Sequence, residues 1–269
     1  MKLKKILSPI FFFVLTLQLS AWGSRAHDAI AYIAQMNLTP VAQSEVSRLL
    51  NGRTMVTYAV WMDNVRSDST FDFTRTWHFV NVDSGYTYAT SPIAETGDMV
   101  TATELAMHKL SSDAYTDSVK RIFLKVLIHT VAEIHCPMHA GRRTDRGGNL
   151  HPVYWFGSRT NLHAIWDSPI VERSRNWSHT EWAHNLMAPT TPASIAEMQQ
   201  GGPRDWVEET VILAHYVYKH TPRYAELRFS YMHGPKMIRG QVQTFANIVD
   251  EQLLLGGVRL AYILNTIFY

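Results

Sequence analysis

The sequence predicts a mainly α-helical single domain, and three observations carry that prediction. Apolar residues recur at spacings of three and four in six separate stretches. Alternating, strand-like patterns are scarce. No linker rich in Pro and Gly, low-complexity tract or fixed-period repeat divides the chain, and 269 residues less a leader of 21 leave 248, enough for one large domain with an ample core.

Taken in order, the chain opens with Lys2, Lys4 and Lys5, followed by an apolar run over 6–19 that ends at Ser20-Ala21. Charge, length and small-residue exit together describe a secretory signal peptide over 1–21. A membrane anchor is the rival, but an apolar stretch of 14 residues containing Pro9 falls short of a span of about 20. The expectation is an exported protein, periplasmic or secreted, without a transmembrane anchor. Cleavage after Ala21 would make Trp22 the first residue, with a free α-amine of pKa about 7.7–8.0 that can lose its proton near neutrality and bind a metal. The mature domain is then 22–269. Helices are expected over 28–35, 40–50, 103–110, 113–135, 205–220 and 247–267. The stretch TWHFVNVDSGYTY, 76–88, reads either as a strand or as an extended loop. Long connections are expected at about 140–160 and 185–204, and loops of that length often carry function.

Composition narrows the chemistry. Of 25 Lys and Arg, three sit in the leader, so the mature chain sets 22 against 23 Asp and Glu. A near-neutral chain does not grip nucleic acid through a broad basic face. A polyanionic substrate would have to be held locally, by a few Arg or Lys side chains or by bound cations. Cys136 is the sole cysteine, which excludes an intramolecular disulfide and fits a bacterial periplasm or surface better than a eukaryotic secretory route.

The 13 histidines matter for their placement. In HTVAEIHCPMH, His129 and Glu133 stand one helical turn apart on one face. Pro137 should end that helix and present His139 from another direction. HAIWD repeats the device, with His163 and Asp167 at i and i+4. Upstream, Asp63 in WMDNVR and His78 in TWHFVN add a carboxylate and an imidazole, and Trp22 and His27 bring the N and O donors to nine positions. Each pair alone is as readily a local ion pair, and a lone His is usually a hydrogen-bonded or surface residue. Two pairs together, beside a free N-terminus, point to a metal centre. One Cys cannot build a thiolate cage, so an N/O site suits zinc ahead of manganese or iron. A di-iron centre is the alternative, but these motifs lack its Glu-x-x-His spacing.

These residues resemble the S1/P1 nuclease family, zinc-dependent nucleases and 3′-nucleotidases. The likeness runs through Trp-Gly and His27, WMD, WHFVN, HTVAEIHCPMH, DRGGN, HAIWD and the closing GGVRLAYILN. It implies a helical phospholipase C/P1 nuclease-like fold with a trinuclear zinc cleft. Carried over by position, Trp22 and His27 would hold one zinc; Asp63, His78 and His129 a second; His139, His163 and Asp167 the third. Glu133 would bridge the first two where the family usually has Asp, one methylene shorter. Three zinc ions are expected, or two if Glu133 binds one ion only.

The resemblance also implies an activity: hydrolysis of phosphodiester bonds in single-stranded DNA and RNA to 5′-phosphorylated products by zinc-activated water. Asp63 would orient that water, and Arg66, three residues on, would contact phosphate and stabilise the transition state; its alternative role is a surface salt bridge. Phe79 matches a position that stacks a nucleobase, and Asn81 one where well-known members carry a base-reading acid. Phe79 could equally be a core aromatic. Arg142, Arg143 and Arg146 would help hold a strand or simply solvate a loop. The substrates would be single-stranded nucleic acid and nucleotides, with the protein a monomer that has no stable partner. Two rival readings are a zinc-dependent phospholipase C and a non-catalytic zinc-binding protein. Phospholipases place the first His farther from Trp and end the last motif in Glu, whereas His27 lies five residues after Trp22 and the last motif ends in Asp167.

Overall fold

The structure, a computed structural model, describes residues 22–269; the proposed leader at 1–21 lies outside the described residues. The domain is mainly helical, as expected. Helix α1 (Ser24–Met36) leads into α2 (Pro40–Leu49), which opens on Thr39 accepting from the amide of Ala42, with Pro40 at its first position. After the single turn of α3 (Trp61–Asn64), α4 (Met99–Ser111) is started by Asp98, whose carboxylate accepts from the amides of Val100 and Thr101. Next comes α5 (Asp117–Ile134), the helix around which the site is built.

A hairpin follows, β1 (Pro152–Trp155) with β2 (Ser158–Asn161), then α6 (Leu162–Asp167), α7 (Pro169–Arg175), α8 (His179–Met187), α9 (Pro192–Met198) and α10 (Pro203–His220). The short β3 (Glu226–Leu227) pairs parallel to β1, and α11 (Phe229–His233) precedes a second hairpin, β4 (Lys236–Ile238) with β5 (Gln241–Gln243). The chain ends on α12 (Phe245–Ile267). None of the helices among the described residues is long and apolar enough to cross a membrane.

Several boundaries differ from the sequence reading. Helix α4 starts four residues earlier than expected because Asp98 caps it, and α1 starts four residues earlier, at Ser24 directly after Gly23, without a side-chain cap. The segment 76–88 forms no strand: 76–78 and 84–85 are turns, Tyr88 opens a 3-10 turn, and in between Val80 and Val82 donate their amides to the carbonyls of His139 and Gly141. The two supposed long connections are more ordered than expected. The first contains the β1–β2 hairpin, and the second contains α9, whose start is the reciprocal bonding of Thr191 and Ser194 around Pro192.

From Leu124 to Ile134, every residue of α5 except Lys125 is buried. The helix is surrounded by α1, α4, α10 and α12. Burying a helix on all sides removes water from its polar residues, so His129, Thr130, Glu133 and His135 must each be satisfied by protein or by something the protein binds. Thr130 meets Thr103 of α4 at 2.8 Å. The other three divide into two different kinds of environment.

Candidate metal centre and cleft

His129 and Glu133 project from the same side of α5 and touch, with Nε2 to Oε1 at 2.8 Å. The other nitrogen of His129, Nδ1, lies 2.8 Å from the carbonyl of Ala59. A carbonyl only accepts, so Nδ1 carries the proton and Nε2 presents a lone pair, the tautomer a metal ligand needs. His78 Nδ1 approaches to 3.1 Å from His129 Nε2, 3.2 Å from Glu133 Oε1 and 3.6 Å from Asp63 Oδ1. Two ligand atoms bound at about 2.0–2.1 Å on a tetrahedral ion stand about 3.3 Å apart. These spacings fit that geometry, and Asp63, His78, His129 and Glu133 together form one group able to hold a metal ion.

The second group lies beyond the helix end. The chain leaves α5 at Ile134 and re-forms a short 3-10 turn over Pro137–Ala140, which brings His139 back against Glu133 Oε2. Its Nε2 is 2.9 Å from Asp167 Oδ1. Cys136, His139 and Asp167 offer donor atoms close enough to share an ion. His163 completes this side: its ring stacks on that of His139 at 5.0 Å, and its Nε2 is 3.4 Å from Asp167 Oδ2. Here too a carbonyl sets the tautomer, because Nδ1 of His163 donates to Gly147 O at 2.8 Å. Gly147 is required for that contact: its φ is +64°, and a Cβ there would sit 2.8 Å from Met138 O.

The start of the domain closes the centre. His27 stacks on His129 at 4.2 Å and places Nε2 3.9 Å from Glu133 Oε2. Trp22 is buried, and the Gly23 amide donates to the carbonyl of Asp167 at 2.5 Å, which fixes the chain start against the second group. A Cβ on Gly23 would fall 2.2 Å from Ser168 Oγ, so only glycine permits this approach. In the uncleaved chain the Trp22 nitrogen is an amide bonded to Ala21, and it becomes an amine only on cleavage. Eight of the nine predicted donor positions, all but Trp22, thus bring a side chain into one continuous basket, with the Glu133 carboxylate between His27, the Asp63 group and His139.

Several of these buried atoms have no hydrogen-bond partner among the described residues: both ring nitrogens of His27, Asp63 Oδ1 and His78 Nε2. Orphaned polar atoms at such density are costly unless a ligand uses them. Electrostatics divide these donors: burial acts to lower His129 and His139, but Glu133 and Asp63 outweigh it at His129, and Cys136 and Glu133 at His139, so both rings are held above the usual histidine range. Burial pushes His78 down to about 4, and burial followed by the nearby His129 lowers His27, so both rings stay neutral. Burial acts to raise Glu133, but His139 and His129 outweigh it and hold its carboxyl well below the usual range. Asp63 is raised by burial.

A cleft of about 360 Å³ opens beside the basket, lined by Arg66, His78, Phe79, Asn81, His139, Arg143, Arg146, Gly147, Asn149 and His163. A model of the S1/P1 nuclease family matches residues 22–269. The chain belongs to the S1/P1 nuclease family. Membership makes it a phosphodiesterase of the hydrolase class. Among curated relatives, it is 25% identical to Endonuclease 2 of Arabidopsis thaliana over 92% of this chain and 90% of that protein. It is 27% identical to Nuclease S1 of Aspergillus oryzae over 57% of this chain and 55% of that one. With Nuclease P1 of Penicillium citrinum the identity is 24%, covering 56% and 59%.

Within this S1/P1-family chain, the structure sorts the cleft residues foreseen from sequence. Arg66, Phe79 and Asn81 line the cleft, and Arg66 Nη1 stands 3.9 Å from Asp63 Oδ1. Arg143 and Arg146 reach the cleft as well, whereas Arg142 turns away to lie over the Tyr218 ring at 4.2 Å. Two residues were missed. Asn149 closes the DRGGN motif, and its distance from the other motifs in sequence hid its place in the cleft. Cys136 was set aside because one thiol cannot form a cage, yet its place one turn before His139 puts its sulfur beside Asp167.

Proposed function

We propose that this chain is a zinc-dependent endonuclease and 3′-nucleotidase that cuts single-stranded DNA and RNA, leaving 5′-phosphorylated products, and that 22–269 is its exported catalytic domain. The observation that carries the reading is the basket of buried imidazoles and orphaned carboxylate oxygens opening directly onto a cleft that holds an arginine and an aromatic. Hard oxygen and imidazole donors suit zinc, and family membership agrees with it. Asp63, His78, His129 and Glu133 would hold one ion, His139, His163 and Asp167 another, and His27, Glu133 and the amine of a cleaved Trp22 a third. Bound there, zinc would neutralise phosphate charge and lower the pKa of a water toward neutrality.

The chain's own groups supply the rest. Asp63 Oδ1 is an acceptor free of hydrogen bonds among the described residues, set to orient an attacking water. Arg66 stands beside it at the cleft wall, where a guanidinium fork meets the negative charge that grows on phosphate oxygens. Half-buried Phe79 offers a ring for a base to stack on, which favours unpaired strands because a duplex hides its base faces. Asn81, beside it, has both a donor and an acceptor for a base edge, unlike a carboxylate.

The test is turnover by protein beginning at Trp22. Release of 5′-mononucleotides from single-stranded DNA and RNA, and of phosphate from 3′-nucleotides, is expected, with duplex DNA cut more slowly. Turnover of choline phospholipids with none of these activities would replace the reading by the phospholipase one.

A further inference from the structure

Residues 141–151, between the turn that carries His139 and the β1–β2 hairpin, form a loop that reaches the site at three points. Arg146 and Asn149 line the cleft, and the carbonyl of Gly147 accepts from Nδ1 of His163 at 2.8 Å. The loop also receives the first turn of α6: His163 gives its amide to Gly148 O at 3.4 Å, and Leu162 gives its amide to His151 O at 2.9 Å. His163 is thus placed by this loop twice, through its backbone and through its ring.

The turn that does this runs through three successive residues at positive φ, Arg146 at +56°, Gly147 at +64° and Gly148 at +89°. A turn of that kind belongs to no helix or sheet, so its inward amides need partners of their own. The carboxylate of Asp145 supplies one. It is buried, and its Oδ1 accepts from the Gly148 amide at 2.8 Å and from the Tyr218 hydroxyl at 2.7 Å. Tyr218 stands on α10 and is buried as well. Its hydroxyl oxygen accepts from the Arg142 amide at 3.3 Å. One phenol therefore pins both the entrance and the centre of the loop to the body of the protein. The other carboxylate oxygen faces His151, with Oδ2 3.8 Å from Nδ1. Nε2 of His151 donates to the carbonyl of Thr221 at 2.9 Å, which leaves Nδ1 of the neutral ring an acceptor. What this pocket uses in Asp145 is the acceptor Oδ1, and an amide N–H would suit His151 at the place of Oδ2.

We infer that Asp145 and Tyr218 are positioning residues for the ion of the His139, His163 and Asp167 group. By holding the turn over 146–148 they keep the Gly147 carbonyl on Nδ1 of His163, and with it Nε2 turned toward Asp167. The inference rests on the metal-centre reading and names what sets the affinity of one ion. Asp145 and Tyr218 act through His163.

The experiment measures zinc affinity by competition with a chromophoric chelator, in protein beginning at Trp22. It compares wild type with Asp145→Ala, Asp145→Asn and Tyr218→Phe, and uses His163→Ala to mark the ion concerned. Asp145→Ala and Tyr218→Phe should each weaken one bound ion about tenfold or more and leave the rest unchanged. Asp145→Asn should stay within a few-fold of wild type, because its amide oxygen still accepts from Gly148 and Tyr218. Adding Tyr218→Phe to His163→Ala should cost no zinc beyond that lost by His163→Ala alone, since both changes act on one ion. Should Asp145→Ala fail to fold, Tyr218→Phe, which loses a single oxygen, still decides. Wild-type affinity in Tyr218→Phe, an even loss across all ions, or further loss in the double variant overturns the positioning role and leaves the metal centre intact. So does an Asp145→Asn protein as weak as Asp145→Ala. A wild-type protein that binds no zinc overturns both.

Discussion

The segment HTVAEIHCPMH contains two kinds of buried histidine, and the contrast between them explains how the site can be told from the core. His135 is as buried as His129, only six residues away. Yet its Nδ1 donates to the carbonyl of Val131 at 2.7 Å, and its Nε2 accepts from Arg259 of α12 at 3.1 Å. Arg259 in turn donates to Glu209 at 2.8 Å and to the carbonyl of Met198 at 3.0 Å. Every polar atom of His135 is used within the protein, so this network ties α5, α9, α10 and α12 together and asks for no ligand. On the other face, His129 uses one nitrogen on the protein, and the second joins a group of donors left short of partners. A satisfied buried histidine is structural, and one that converges with orphaned donors has the setting of a ligand.

Substitutions on the two faces should therefore fail in different ways. The largest effect is expected at Asp63. Asp63→Asn should lower kcat on single-stranded DNA by about a hundredfold or more while leaving the unfolding midpoint of the metal-free protein nearly unchanged. A rate within a few-fold of wild type would remove Asp63 from the reaction. Next comes the chain start. One extra residue left before Trp22, or Gly23→Ala, should release metal and reduce activity about 10–100-fold, because the first blocks the amine and the second clashes with Ser168 and Asp167. Metal analysis of both proteins checks this, and full metal content in both would remove the chain start from the centre.

The structural face should show the reverse pattern. Arg259→Met is expected to destabilise the fold by about 2 kcal/mol in denaturant titration while preserving kcat of the folded, metal-loaded protein. The same network has a pH signature. Burial, with Arg259 adding to it, pushes His135 down to about 3, whereas an unfolded histidine titrates near 6.5. Between those values the unfolded chain binds a proton that the folded chain refuses, so stability falls as pH drops from about 6.5 toward 3. His135→Gln should flatten that part of the acid loss, as read from unfolding midpoints across the range, and an unaltered slope would show that His135 does not carry it. The smallest effect is expected at Phe79: Phe79→Ala should raise KM for nucleic acid about five- to tenfold and leave a simple phosphate ester untouched. Equal changes on both substrates would place Phe79 in the scaffold.

Much of this was legible before the fold was known. The i,i+4 pairs His129/Glu133 and His163/Asp167, and the break at Pro137, gave the site its skeleton because helical spacing converts directly into a shared face. The mainly helical class followed from apolar periodicity. What sequence reading lost was governed by other physics. Helix α9 is short and set by Thr191, Pro192 and Ser194 rather than by an apolar stripe, and the β1–β2 hairpin turns on Phe156 and Gly157, both at positive φ. Asn149 and Cys136 escaped because their places depend on which loops meet in space. Spacing along the chain does not encode that meeting. Nor does it distinguish His135 from His129, since the Arg259 that satisfies His135 lies 124 residues away.

The most direct test of the central claim is to count zinc per chain in protein beginning at Trp22, alongside release of 5′-mononucleotides from single-stranded DNA and RNA. Three zinc ions with hydrolysis are predicted, with Glu133 bridging the two ions that flank it. Two ions with activity would mean that Glu133 serves one ion only and the N-terminal site stands empty; absence of zinc from an active protein would contradict the account.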